Sequence, residues 1–259
     1  MVLHKVLPAR SEAPRQRGQD PILLSNLQIC IDQAKGRVPV LAGAGSNNTI
    51  EAIRLTRFAK KAGADGALLI TPYYNKPTQE GLFQHYKAIA EAVDMPLVPY
   101  NVPGRTGCNL LPETLARLAK AFPNIVGVKE ATGDMAQGSK TLSSCPQGFS
   151  VLSGDDFTAL PLMALGGHGI ISVTSNLVPG RVAAMVNAFR KGDVAGAARI
   201  HHELFPLHEA MFFESNPIPA KTALHLMGKM EAELRLPLCS IGAAAKEKLT
   251  AVLRQVKLI

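Results

Sequence analysis

Six short apolar runs, each followed by a longer amphipathic stretch, constrain the fold of this chain more than any other feature. The runs are Val38–Ala42, Ala67–Thr71, Leu97–Tyr100, Ile125–Lys129, Phe149–Ser153 and Gly169–Val173, and each predicts a strand. Helical periods such as Thr49–Ala62 and Gln79–Val93 lie between them. Helix starts are marked by Asn48 or Thr49 ahead of Glu51, by Thr78 ahead of Glu80 and by Pro112-Glu113. Strands alternating with helices predict an α/β fold with a parallel sheet, either open and doubly wound or closed into a barrel.

After Val173 the pattern turns wholly helical, with stretches at Arg181–Arg190, Val194–Phe213 and Pro219–Met230 and a basic helix from Ala243. The expected organisation is an atypical segment at 1–37, β/α units at 38–190 and a helical domain at 191–259. Before residue 38 only Ile22–Ala34 reads as a helix. Met1–Asp20 carries Pro8, Pro14, Gly18, Arg10, Arg15 and Arg17 without an apolar period, so a loop, a flexible tail, a transit-like leader or an altered start is expected there.

With 259 residues, 47% of them hydrophobic, the chain can bury a sizeable core. It has no charge-free apolar stretch of about 18 residues, so no membrane-spanning helix is expected. Nor does an apolar secretory region stand near the start, and a cytoplasmic location follows as the expectation. The four cysteines are far apart, which points to neither a zinc site nor a disulfide framework. A net charge of +8 would suit nucleic acid, but the basic residues are scattered and there is no tryptophan to stack on bases, so small anionic substrates are the expected beneficiaries. Gly43-Ala44-Gly45 is too short for a dinucleotide fingerprint, and His201-His202-Glu203 and His168 lack metal-ligand spacing. No cofactor or metal is expected.

The chemistry gathers where strands end. Lys129 closes the run Ile125–Lys129, and a lysine in a buried strand is costly unless its lowered pKa is used, the free amine being the nucleophile that makes a Schiff base with a carbonyl. The bland alternative is a lysine that snorkels to the rim or pairs with Glu130. Tyr100 ends a strand and could shuttle protons, and Arg105 in the next loop could hold a carboxylate. Tyr73 and Tyr74 follow another strand. Gly154, Asp155 and Asp156 follow a third, with the aspartates placed to cap a helix. In α/β enzymes the site is built at the strand carboxyl ends.

In order and spacing, the segments GAGSNNTIEAI, TPYYNKPTQEGL, PYNVPGRTG, GVKEATGD, LSGDD, GGHGIISVTSN and NPIPAK resemble the dihydrodipicolinate synthase family of aldolase-like lyases, over roughly residues 36–259. The resemblance implies a (β/α)8 TIM barrel with a carboxyl-terminal helical domain, altered here at its first two units. It also implies condensation of pyruvate with aspartate 4-semialdehyde on the way to lysine, without a cofactor, by a homotetramer or homodimer. By position Lys129 is similar to the Schiff-base lysine, Tyr100 to the proton-relay phenol, and Tyr74 to the relay tyrosine lent across the dimer. Arg105 matches the arginine that receives the semialdehyde carboxylate, and Ile171 and Gly154 match positions lining the pyruvate pocket. Asn47, Glu51 and Tyr73 match part of the family's allosteric lysine site.

The resemblance breaks near the start. Where the family carries Gly-Thr-Thr-Gly-Glu, with a threonine completing the relay, this chain reads Leu7-Pro8-Ala9-Arg10-Ser11-Glu12. Two alternatives therefore stand beside the synthase. One is a related pyruvate-dependent aldolase acting on N-acetylneuraminate or keto-deoxy sugar acids; the other is a non-catalytic homologue. Arg105 favours the synthase, because a short carboxylate needs a fixed cation where a polyol needs hydroxyl partners.

Overall fold

A computed structural model describes residues 21–259; the segment Leu7–Glu12 lies outside the described residues. The chain forms two compact units, one running to Ile171 and the other from Ser172 to Ile259.

The first unit opens with helix α1 (Pro21–Ala34) and then alternates strands and helices. In chain order these are β1 (Leu41–Gly43), α2 (Thr49–Lys61), β2 (Gly66–Ile70), α3 (Gln79–Ala92) and β3 (Leu97–Asn101). There follow the one-turn helix α4 (Pro103–Thr106), α5 (Pro112–Ala121), β4 (Gly127–Glu130), α6 (Met135–Ser144), β5 (Ser150–Ser153), α7 (Ala159–Ala164) and β6 (Gly169–Ile170). The six strands form one sheet in sequential order, each pair parallel. Of the two arrangements open to the sequence, sequential order is the one a barrel wall requires.

Local chemistry explains these boundaries. Asn48 accepts from the Glu51 N–H (3.1 Å) and Thr78 from the Gly81 N–H (3.2 Å), as expected, and Asp134 caps α6 through the N–H groups of Ala136 and Gln137. The first strand begins at Leu41 and not at Val38, because the Val40 N–H is taken by the Asp65 carboxylate (2.6 Å). The last ends at Ile170, although the Ile171 N–H still reaches the Ser153 carbonyl (2.9 Å), and the backbone then turns into a 3-10 turn at Thr174–Asn176. Between sheet and helices lies a core containing Leu69, Leu82, Ile89, Leu97, Leu118, Val128 and Val151, all wholly buried. Tyr86 of α3 is fully buried with them and donates its hydroxyl to the Leu69 carbonyl at 3.1 Å, so the ring packs without stranding a polar atom.

The second unit is helical: α8 (Pro179–Arg190) packs on α9 (Val194–Ala210), and α10 (Ile218–Leu226) on α11 (Ala243–Gln255). Two of its buried polar contacts lie within the unit. Thr174 Oγ1 lies 2.8 Å from His208 Nδ1, and the Lys221 amine donates to the Glu233 carbonyl. Among the described residues no helix is long and apolar enough to cross a membrane, and no group of three His, Cys, Asp or Glu side chains stands ready to hold a metal ion.

Candidate active site

Register decides what meets Lys129. In the parallel pairing of β3 with β4, Tyr100 lies opposite Lys129, and in that of β4 with β5, Leu152 does. Opposed residues of neighbouring strands share a face, so the two side chains meet and the Lys129 amine sits 4.0 Å from the centre of the Tyr100 ring. Lys129 is 1% exposed, so the snorkelling alternative does not hold. Strand alternation sends Glu130 the other way: its carboxylate accepts from the Thr132 N–H (2.8 Å) and from Asn101 and Gln137 (3.4 Å each).

Burial pulls the Lys129 amine down to about 7. The nearby carboxylates of Asp155 and Asp156 oppose that shift and the Arg105 guanidinium adds to it. Burial likewise pushes the Tyr100 phenol up to about 12, with Arg105 opposing and Asp155 assisting. It also pushes Asp155 up to about 6, against the pull of Lys129. Lys129, Tyr100, Asp155 and Arg105 therefore form one electrostatic cluster, in which about half of the amine is neutral near pH 7.

Two backbone features shape it. The Gly154 N–H donates to the Glu130 carbonyl at 2.6 Å, and a Cβ at Gly154 would stand 2.5 Å from the Ala131 Cβ and 3.1 Å from Lys129 Cε. Only glycine lets β5 continue this close to the lysine. Ile171, wholly buried, follows β6 on the neighbouring strand. Arg105 rides on α4, which Gly107 closes in the left-handed conformation (φ 69°) by donating to the Pro103 carbonyl at 2.8 Å. The buried Thr106 hydroxyl anchors that turn to Thr71 at 3.3 Å and to the Cys108 carbonyl at 3.0 Å, leaving the arginine exposed.

Tyr74 does not join the buried cluster. It is 90% exposed, with a left-handed backbone (φ 72°) rare outside glycine. Its turn is held by a reciprocal pair of bonds: Asn47 donates to the Tyr73 carbonyl and Asn75 to the Asn47 carbonyl, each at 3.1 Å. Glu51 accepts from the adjoining Ser46 hydroxyl at 2.6 Å, so Asn47, Glu51 and Tyr73 occupy one patch.

Asp155 was expected to cap a helix. It stands at the N-cap position of the 3-10 turn Asp156–Thr158, but its side chain makes no cap bond. Sequence reasoning also missed the polar layer behind the strand ends. Asn101 donates to Asn109 (2.8 Å), and Asn109 and Gln137 exchange amide bonds at 2.9 and 3.0 Å, closing a network on Glu130. The period-2 rule, which puts Asn101 and Glu130 on the face opposite Tyr100 and Lys129, is the signal that could have exposed it.

With this geometry in hand, comparison with known proteins decides the family. The profile of the Dihydrodipicolinate synthetase family matches residues 25–256. This chain belongs to that family. Among curated dihydrodipicolinate synthase relatives, the 4-hydroxy-tetrahydrodipicolinate synthase of Nitratidesulfovibrio vulgaris strain DP4 is 62% identical over 227 residues, 88% of this chain and 78% of its own length. The dihydrodipicolinate synthase of Thermotoga maritima superposes with a TM-score of 0.91 at 43% identity, over 94% of this chain and 83% of that one. The chloride-inhibited enzyme of Acinetobacter baumannii, solved with pyruvate, superposes with a TM-score of 0.89 at 48% identity, over 92% and 81%. The parallel wall with its helices is thus the TIM-barrel architecture of the dihydrodipicolinate synthase family.

Proposed function

We propose that this chain is a lyase that condenses pyruvate with aspartate 4-semialdehyde to 4-hydroxy-tetrahydrodipicolinate in lysine biosynthesis, working through an imine at Lys129. The observation that carries the reading is the buried Lys129 amine, held near neutrality against the Tyr100 ring. The curated relatives share that activity by name, which favours it over the sugar-acid aldolases.

The residues divide the work as follows. The neutral amine adds to the ketone of pyruvate and water leaves. The resulting iminium withdraws electrons from the methyl group, so that a proton can pass to the relay in which Tyr100 and Tyr74 take part. The enamine carbon then attacks the aldehyde, whose carboxylate is met by Arg105 at the mouth. Gly154 and Ile171 line the pyruvate pocket. No cofactor takes part.

Imine formation needs only Lys129 and its neighbours. Tyr74, exposed and held in a strained backbone, is lent to a second copy in a dimer or tetramer working in the cytoplasm. Asn47, Glu51 and Tyr73 give a partial lysine site.

Incubation with pyruvate and borohydride, followed by peptide mass spectrometry, tests the reading. An adduct confined to Lys129 is expected, and a folded protein without one would overturn it. Light scattering should find two or four copies; a single copy would remove the cross-subunit role of Tyr74.

A further inference from the structure

The register that sets Tyr100 opposite Lys129 is not continuous with the rest of the pairing between these two segments. Upstream, Leu97 pairs with Ile125, donating to the Asn124 carbonyl at 2.7 Å and accepting from the Val126 N–H at 3.0 Å. Downstream, Tyr100 pairs with Lys129 and Asn101 with Glu130. From Leu97 to Asn101 the chain advances four residues, and from Ile125 to Glu130 it advances five, so the second segment carries one extra residue just ahead of the lysine. Pro99 stands in this gap and has no N–H to give the ladder. Extending the upstream register would bring Tyr100 opposite Val128 and Asn101 opposite Lys129, turning the amine to the face away from the phenol.

Contacts beyond the gap must therefore select the register, and backbone bonds cannot, because one N–H serves a ladder as well as the next. Pairing with β5 fixes β4 on its other side and leaves the register with β3 open. The contact that discriminates is between side chains. Asn101, 1% exposed, donates its amide to the Glu130 carboxylate at 3.4 Å, to Asn109 Oδ1 at 2.8 Å and to the Leu110 carbonyl at 3.3 Å, and accepts from the Leu110 N–H at 2.9 Å. Gln79 of α3 holds that loop in turn, donating to the Asn109 carbonyl (2.7 Å) and accepting from the Leu111 N–H (3.1 Å). Asn101 thus ties the end of β3 at once to an anchored loop and to the residue beside Lys129. A slipped register would take this donor from the buried Glu130 carboxylate, a heavy cost for such a group.

We propose that Asn101 is a positioning residue that selects the register of β4 against β3 beyond the extra residue and so holds Lys129 against Tyr100, a role that rests on the imine reading above. Asn101 lies on the face of the sheet opposite the amine, so it acts through the strand and not on pyruvate. Its loss should therefore lower the rate at which a bound ketone is captured more than the hold on pyruvate itself.

The test is timed borohydride trapping of pyruvate with mass spectrometry of the Lys129 peptide, run over a range of pyruvate concentrations and well below the melting temperature of each variant. Asn101→Asp keeps the side-chain shape and the acceptor for the Leu110 N–H, but sets a second carboxyl group against Glu130. It should trap about a hundredfold more slowly at saturating pyruvate, with half-saturation moved by about threefold or less. Adding Glu130→Gln turns the contact back into an amide facing a carboxylate, with donor and acceptor exchanged, and the double variant should recover to within about tenfold of wild type. Asn109→Ala withdraws an acceptor that orients the Asn101 amide and should slow trapping about tenfold, which serves if Asn101→Asp does not fold. Wild-type trapping in folded Asn101→Asp, with only the melting temperature lowered, would overturn the proposal. So would a double variant no faster than Asn101→Asp, a loss confined to half-saturation, or wild-type trapping in Asn109→Ala. Failure of both Asn101→Asp and Asn109→Ala to fold would mark a purely structural role and overturn it too. If the wild-type chain forms no adduct, the imine reading itself falls and this proposal with it.

Discussion

Replacing Gly154 by alanine should damage both the fold and the chemistry, for one steric reason. The added Cβ would lie 2.5 Å from the Ala131 Cβ, where ordinary contact begins at 3.4 Å, so about 0.9 Å must be recovered. Neither backbone is free to yield, because the Ala131 N–H is bonded to the Asn101 carbonyl at 2.9 Å and the Gly154 N–H to the Glu130 carbonyl at 2.6 Å. The strain must spread β4 from β5, at a cost of about 1–3 kcal/mol, which lowers the melting temperature by roughly 3–10 °C in a chain of this size. The same Cβ, 3.1 Å from Lys129 Cε, displaces the amine, and misplacement on that scale slows trapping by about tenfold to a hundredfold. Gly133→Ala is the matched control. Gly133 has φ 72° with nothing within 4 Å of its would-be Cβ, so the change costs about 1 kcal/mol of backbone strain and leaves trapping intact. Thermal unfolding and borohydride trapping read both effects. Wild-type melting and trapping in Gly154→Ala would refute the steric account.

Lys129→Met should abolish the adduct yet raise stability at neutral pH. The folded chain holds this amine at about 7 against an ordinary 10.5, so between those values the unfolded chain binds the extra proton. Wild type therefore gains stability relative to Lys129→Met as pH rises through that window and lacks it below about 7, a difference on the order of 5 kcal/mol in full, measurable by denaturant unfolding at several pH values. His85 works in the acid range. It is 5% exposed, its Nδ1 lies 2.9 Å from the Thr49 hydroxyl, and burial lowers it to about 4 from 6.5. Acidification through that window should remove about 3 kcal/mol, and His85→Gln should lack this limb. Arg105→Gln should raise the semialdehyde KM about tenfold or more, the worth of a charge-assisted bond, while pyruvate is still trapped at Lys129, with the amine shifted upward by loss of the guanidinium.

The sheet was legible because each strand is an unbroken apolar run bounded by turn residues, and that signal survives without any tertiary knowledge. Its ends were less so. Val38 to Val40 looks like strand, but the Asp65 carboxylate, distant in sequence, takes the Val40 N–H and delays the ladder. Gly169–Val173 is equally apolar, yet only Gly169–Ile170 pairs regularly, since the backbone beyond Ile171 turns where its residue types would permit strand. The helix caps were read well because a cap is settled within four residues: Asn48, Thr78 and the groups they bind all lie in one local window.

The same distinction separates what was seen of the site from what was not. Lys129 is conspicuous alone, because a lysine inside an apolar run is costly wherever the run is buried. Its meeting with Tyr100 depends on register, which no single segment contains. Asp155 illustrates the limit further. By itself it has every mark of a helix cap, yet its side chain makes no cap bond on the 3-10 turn that follows, a departure that no local pattern announces. Asn101, Asn109 and Gln137 are ordinary strand-end, loop and helix residues until the sheet brings them behind Glu130, where satisfying one buried carboxylate takes the amides of Asn101 and Gln137 and a backbone N–H. Because Glu130 is held on one face of β4, Lys129 is fixed on the other, so weakening that network by Gln137→Leu should reach the amine through the strand itself.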